Sequence, residues 1–339
     1  MSAPPATMKA LVQNAYADGD ALGRALAVED VAVPRPGPDD VLVAVRAAGV
    51  DRGAWHLVTG LPKGVRVATG LRRPRQRTPG LEAAGVVEAV GERVTGFRVG
   101  DEVYGVVRGS FAQKALGAAK SLHTKPSGLS FAEAAALAVS GVTAVLAVRA
   151  AGEGAVAPGR RVLVLGAGGG VGSLVVQLAK AAGAHVTGVC GADKADHVRA
   201  LGADEVVDRA VFDAGPVAAQ ADRSFDVVVD TAGNRSLRRL RALLTPTGAA
   251  VLVGGEGKGG PLGGFSRQLR ALLLNPFVRQ RLAPLASVTS TRSLALLTER
   301  VEAGALRPVV DATYPLADAA DAVRRVGSGR VRGKVVLEP

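Results

Sequence analysis

The residues best spaced for chemistry form a glycine-rich turn, Gly166-Ala167-Gly168-Gly169-Gly170-Val171-Gly172. Before it lies the apolar run Val162-Leu163-Val164-Leu165; after it come an amphipathic stretch to Ala182 and a second apolar run, Val186 to Cys190. Strand, turn, helix and strand in that order build a phosphate cradle. Glycine lets the backbone approach a pyrophosphate with no Cβ in the way, and the helix directs its unpaired N–H groups and positive dipole end at the anion. Val171, Leu174, Val175, Leu178 and Ala182 recur at helical spacing, giving the helix one face to lay on a sheet. A strict G-x-G-x-x-G starting at Gly166 would need Gly at 171, whereas the glycines fall at 166, 169 and 172. With 44 glycines in 339 residues, clusters arise by chance, so the weight of this one comes from its place between two apolar runs.

The end of the second run bears on the cofactor. NAD-binding units carry an acid about 20 residues beyond the loop for the ribose hydroxyls, whereas a basic or small neutral environment admits the 2'-phosphate of NADP. Here Cys190-Gly191-Ala192 offers no acid and Lys194 follows, which predicts NADPH. Asp193 has two readings: a ribose acceptor, or the N-cap of a helix through His197 and Leu201, of which the cap is favoured.

Around this unit the pattern changes along the chain. Short strands such as Val41 to Val45 and Gly85 to Val90, separated by turn clusters including Pro34-Arg35-Pro36-Gly37-Pro38, make the first 125 residues mainly β. Ser130-Phe131-Ala132-Glu133 is a capping box opening a helix. From there strands predicted at 161–165, 186–190, 205–207, 226–230 and 249–253 alternate with helices, the pattern of a doubly wound parallel sheet. Val309, Val310, a helix Ala317 to Val326 and a strand Lys334 to Leu337 return to the β part. Beyond the first seven residues no disordered tract is expected.

With 48% apolar residues the chain can fill the cores of two domains. The single cysteine, Cys190, excludes an intrachain disulfide and a cysteine-rich zinc lobe. No charged and apolar leader and no uninterrupted run of 18 apolar residues is seen, so a soluble, cytoplasmic protein is expected. The net charge of +12 invites nucleic acid, but arginine outnumbers lysine in an Ala- and Gly-rich composition suggesting GC-rich coding, and aromatics are only 3%. No nucleic-acid partner is expected.

The chain resembles the medium-chain dehydrogenase/reductase superfamily, and within it the zinc-independent quinone oxidoreductase-like branch. The matching blocks are Ala47-Ala48-Gly49-Val50, Pro79 to Val87, Gly100-Asp101-Glu102-Val103, Gly109-Ser110-Phe111-Ala112, Gly141-Val142-Thr143-Ala144, the glycine-rich turn, Leu201-Gly202-Ala203-Asp204 and Gly333-Lys334-Val335. The resemblance implies an α/β protein. A GroES-like, mainly β catalytic domain would cover 1–126 and 286–339, with a Rossmann NADP-binding domain over 127–285, the active site in the cleft between them, and commonly a homodimer. Metal-dependent relatives need a Cys after the Ala-Gly-Val block and a His in a Gly-His-Glu block; this chain has Asp51 and Leu81 there, and no metal is expected.

The activity implied is hydride transfer from NADPH to a quinone or to the β-carbon of a conjugated carbonyl. Thr143 should lie against the nicotinamide, and Asp51 sits where relatives often carry Asn near the nicotinamide ribose. The cofactor-binding set is completed by Gly166, Gly168, Gly169, Gly170, Val171, Gly172, Cys190, Gly191, Lys194, Thr231, Ala232, Gly254 and Lys334. Some relatives place a Tyr proton donor where this chain has Pro62, so the donor is either solvent or His56, whose other reading is packing beside Trp55. Alternatives are an enoyl-thioester reductase and a non-catalytic NADPH-binding interaction or sensor protein.

Arg66, Arg72, Arg73, Arg75 and Arg77 read as a solvated surface rather than an anion guide. Phe265 to Leu282, with Leu269, Leu272, Leu273 and Leu274 among arginines, has the look of an amphipathic membrane-surface element. Because Pro276 breaks it, it is expected to pack a subunit or domain interface, with no membrane partner.

Overall fold

The computed structural model describes residues 6–214, 224–254 and 265–339; most of the leading segment expected to be disordered, 1–5, lies outside the described residues. In chain order the strands are β1 (Thr7–Gln13), β2 (Leu26–Ala32), β3 (Asp40–Val50), β4 (Glu82–Val90), β5 (Glu102–Val106), β6 (Lys114–Ala118), β7 (Leu122–Thr124), β8 (Arg161–Leu165), β9 (His185–Cys190), β10 (Glu205–Asp208), β11 (Phe225–Asp230), β12 (Leu244–Leu252), β13 (Arg281–Pro284), β14 (Val310–Pro315) and β15 (Lys334–Glu338). The helices are α1 (Leu22–Ala25), α2 (Arg52–Thr59), α3 (Arg66–Thr69), α4 (Phe131–Ala150), α5 (Gly170–Ala181), α6 (Ala195–Ala200), α7 (Arg209–Ala214), α8 (Leu237–Ala242), α9 (Phe265–Leu274), α10 (Thr291–Glu302) and α11 (Ala319–Gly327).

The chain divides into two compact units. Unit one is Met1–Val139, Thr289–Glu302 and Pro308–Pro339; unit two is Ser140–Val288 and Ala303–Arg307. The division falls within α4 rather than before it, because α4 is one continuous helix opened by the expected box: the Ser130 N–H donates to Glu133 at 2.9 Å and the Glu133 N–H to the Ser130 hydroxyl at 3.2 Å. This helix is long and apolar enough to cross a bilayer by length and composition, with 67% of its apolar window buried inside the fold.

Unit one is the GroES-like part. Its seven-stranded sheet runs β14-β15-β3-β4-β5-β7, with β6 also on β3, and β1 and β2 form a separate antiparallel pair. Val41, Val43, Val45, Val87, Val103 and Leu122 line its core, the inward half of the alternation.

Unit two is the Rossmann part. Six strands, all parallel, run β10-β9-β8-β11-β12-β13. The order reverses direction between β8 and β11, and in such sheets ligands bind outside the carboxyl ends of the strands at that point. Strand β8 is an apolar run because it is buried against neighbours on both faces. On α5 the sheet side is Leu174, Val175, Leu178 and Ala179, while Val171 and Ala182, expected on the same face, stay partly exposed at the ends. Strand β13 went unforeseen inside the stretch read as amphipathic: four residues are too few to display a period of two.

Candidate functional site

The turn after β8 has the geometry that the sequence predicted. Gly166 takes φ +85, a left-handed conformation that side-chain-bearing residues rarely adopt, and a Cβ at Gly172 would stand 2.2 Å from the Gly166 carbonyl oxygen, so helix and turn touch only because both are glycine. Gly169 is the N-cap of α5 and offers no side-chain cap, leaving the first N–H groups of the helix, at Gly170, Val171 and Gly172, facing the turn. A Cβ built on Gly169 meets nothing nearer than the Gly166 carbonyl oxygen at 3.5 Å. An open cradle before an uncapped helix terminus fits a pyrophosphate.

Several predicted cofactor residues gather at this turn. The Thr231 hydroxyl, just past β11, donates to the Leu165 carbonyl at 2.7 Å. At Gly254, beyond β12, a Cβ would lie 2.6 Å from the Thr231 carbonyl oxygen, so the two strand ends and the turn form one surface, with Ala232 3.4 Å from the Cβ position of Gly166. Lys194 is buried, and its Cδ would lie 2.8 Å from a Cβ on Gly168: the stem crosses the turn. Cys190 is buried at the end of β9, and burial, more than any neighbouring charge, pushes its thiol above the ordinary range. Asp193 departs from the favoured expectation. It lies in a single 3-10 turn, Ala192–Lys194, and the N-cap of α6 is Lys194, with no side-chain cap bond. The Asp193 carboxylate instead folds back toward Gly191, 2.6 Å from that residue's Cβ position. Thr143 donates to the Ser287 hydroxyl at 2.9 Å within the same unit.

Arg267 was read only as part of an amphipathic stretch, yet it clamps this surface. Its guanidinium pairs with the fully buried Asp230 and donates to the carbonyls of Gly254 at 2.7 Å and Arg235 at 3.0 Å, tying the end of β11 to the end of β12. No local pattern signals this, because Asp230 lies 37 residues away.

The predicted catalytic residues lie in unit one. Asp51 follows directly on β3 and caps α2, accepting the Ala54 N–H at 2.8 Å, while Gly60 closes the helix. His56, on α2, bonds through Nδ1 to the Leu61 carbonyl, and its ring meets Trp55 edge-on at 5.1 Å, so the packing foreseen as the alternative is present. A carbonyl only accepts, so Nδ1 carries a proton and Nε2 is left for exchange.

Lys334, predicted to bind cofactor, sits in a buried ionic cluster. Its ammonium pairs with Glu82 and lies 3.8 Å from the Asp51 carboxylate, with all three side chains at most 13% exposed. Burial raises Glu82 to about 7 despite Lys334, while Lys334, which burial opposes, is lifted net by the two carboxylates. The second carboxylate, Asp51, adds to burial in favouring the proton on Glu82, and the Lys334 ammonium only partly offsets the two. Glu82 also accepts the Val139 N–H at 2.8 Å. The signal for Glu82 was available: a lone acid in the apolar run Ala83-Ala84-Gly85-Val86-Val87 must find a cation or a proton.

The arginines ahead of Pro79 divide. Arg72, Arg73, Arg75 and Arg77 are exposed, Arg77 donating to Asn14 at 2.8 Å, whereas the partly buried Arg66 stacks 4.6 Å over Tyr16. Among the described residues no group of three His, Cys, Asp or Glu side chains is placed to hold a metal ion.

A GroES-like unit joined to a parallel Rossmann unit with a glycine cradle defines a medium-chain dehydrogenase/reductase. Comparison agrees: residues 37–147 match the alcohol dehydrogenase GroES-like domain and residues 201–337 the zinc-binding dehydrogenase family. A chloroplast envelope quinone oxidoreductase homolog of Arabidopsis thaliana is 30% identical over 98% of both chains, and a quinone oxidoreductase of Sus scrofa is 31% identical over 91% of this chain and 92% of its own. A mycobacterial protein solved in complex with NADPH superposes with TM-score 0.80 at 25% identity, covering 98% of this chain and all of that one. The chain belongs to the quinone oxidoreductase-like branch of the medium-chain dehydrogenase/reductase superfamily, oxidoreductases that use a nicotinamide cofactor.

Proposed function

We propose that the protein is an NADPH-dependent, zinc-independent reductase of quinones or of C=C bonds conjugated to a carbonyl, working as a homodimer by family resemblance. The observation that carries this reading is the open, uncapped cradle at Gly169 with Lys194 lying across it, and no acid at the end of β9 to receive a ribose that lacks a phosphate. A bound nicotinamide would supply the hydride. The chain's own work is binding and proton handling. The N-terminus of α5 holds the pyrophosphate, Lys194 meets the 2'-phosphate, Arg267 fixes the strand ends beneath, and Thr143 bounds the ring. Asp51, held by its cap bond and Lys334, meets the ribose. His56 is anchored at Nδ1 and, with both ring nitrogens protonated, gives its Nε2 proton to an enolate forming on an enone, and water restores it. A hydroquinone oxygen takes its proton from water. Zinc independence is supported by the chemistry where relatives place ligands: Leu81 has no donor atom, and Asp51 already faces the Lys334 ammonium.

The test is a turnover screen of NADPH against benzoquinones, simple enones and enoyl thioesters, with Gly169→Val as control. Saturable oxidation of NADPH by quinone or enone, absent in the variant, is expected. Activity with thioesters alone would make the protein an enoyl-thioester reductase, and no turnover with any acceptor would make it a cofactor-binding sensor.

A further inference from the structure

Helix α9 is apolar on two sides. Its inner side, Ala271 and Leu274, packs into the core of unit two with Val278 and Leu282. Its outer side carries Leu269, Leu272 and Leu273, exposed by 59%, 56% and 66%, and Phe277 follows at 83%. Spacings of three and four residues put the leucines on one stripe. Arg270 borders the stripe and, like Arg279 and Arg281 beyond it, is exposed. The surrounding sequence has no acid: no Asp or Glu occurs between Glu256 and Glu299.

The expectation that this stretch packs against a second copy meets an electrostatic objection. A contact between two copies of this stretch would bring its arginines into one interface with no carboxylate from the stretch to offset their charge. An anionic bilayer matches both halves of the patch. Lipid phosphates accept the guanidinium groups, and the boundary with the acyl chains takes the leucines and the phenylalanine. At ten residues α9 is too short to span, so it would lie in the plane of the interface.

We propose that the outer face of α9 with Phe277 is a docking surface for anionic phospholipid bilayers, on which the protein sits peripherally. This replaces the expectation of no membrane partner and is independent of the cofactor.

The experiment is co-sedimentation of the full chain with vesicles of phosphatidylcholine alone or mixed with phosphatidylglycerol, at low and high salt. Binding is expected only with phosphatidylglycerol, and weaker in salt. It should fall about fivefold in Arg270→Ala and at least about tenfold in the double variant Leu272→Asp with Leu273→Asp. Both leucines are exposed, so the double variant should melt at the parent temperature. Light scattering on the same samples reads the second-copy alternative. The proposal is overturned if the parent ignores phosphatidylglycerol vesicles, if the double variant binds them as the parent does, or if the double variant is a smaller oligomer than the parent.

Discussion

At Gly169 an added Cβ meets no atom closer than 3.5 Å, so the chain itself tolerates a side chain there and only a ligand would object. Gly169→Val should therefore abolish NADPH binding in calorimetry while the circular dichroism spectrum and melting temperature stay near the parent's. Lys194 makes a finer prediction. NADPH should bind at least about tenfold more tightly than NADH, about 1.4 kcal/mol, and Lys194→Ala should narrow that gap; equal affinities in the parent would remove the phosphate contact from the reading. For His56 the contrast between acceptors is informative. His56→Ala should cost roughly 10²-fold in turnover with an enone, since a positioned acid contributes about that much, and little with a quinone. A small, equal loss with both would leave His56 to its packing against Trp55.

The buried cluster belongs to the scale of elements, because three strands assemble it. Strands β15, β3 and β4 are neighbours, with Val335 opposite Val50 and Gly49 opposite Glu82, so Lys334 and Glu82 come from the two strands flanking the end of β3 that leads into Asp51. Its stability should depend on pH with a definite sign. Folded Glu82 gains its proton near 7 and unfolded Glu82 near 4.5, so the folded state binds that proton more tightly. The contribution is complete below about 4.5 and lost as pH rises through about 7. Melting temperature should fall over that window, and the fall should be shallower in Glu82→Gln. Lys334→Met should be much worse, because it leaves two carboxylates without their cation; the cost is about 3–5 kcal/mol, measurable by urea denaturation.

For the whole molecule the sharpest question is metal, since residues 201–337 match a family described as zinc-binding dehydrogenase. Side chains rather than fold decide that chemistry. A tetrahedral site needs several nitrogen, sulfur or oxygen donors converging, and here Leu81 offers none while Lys334 sits against Asp51. Turnover should survive prolonged chelation, and elemental analysis of the purified chain should find no stoichiometric zinc. One zinc per chain would overturn the subfamily reading.

The sequence by itself determined the parts whose causes are local. Buried parallel strands must be apolar runs, a helix over a sheet must repeat its apolar residues every three or four positions, and a phosphate turn needs glycine. The runs at 161–165 and 226–230, the Ser130 box and the turn were therefore legible before any coordinates. Tertiary structure alone decided the pairings. Lys334 and Glu82 are 252 residues apart and meet because sheet register brings them together. Arg267 reaches Asp230 because α9 packs where β11 and β12 end. The outward aim of Leu269, Leu272 and Leu273 was hidden for the same reason: periodicity shows that a helix has an apolar stripe, but the packing of Ala271 and Leu274 settles which side the core takes. Charge pairing and facing are set by contacts distant in sequence, to which short-range pattern is blind.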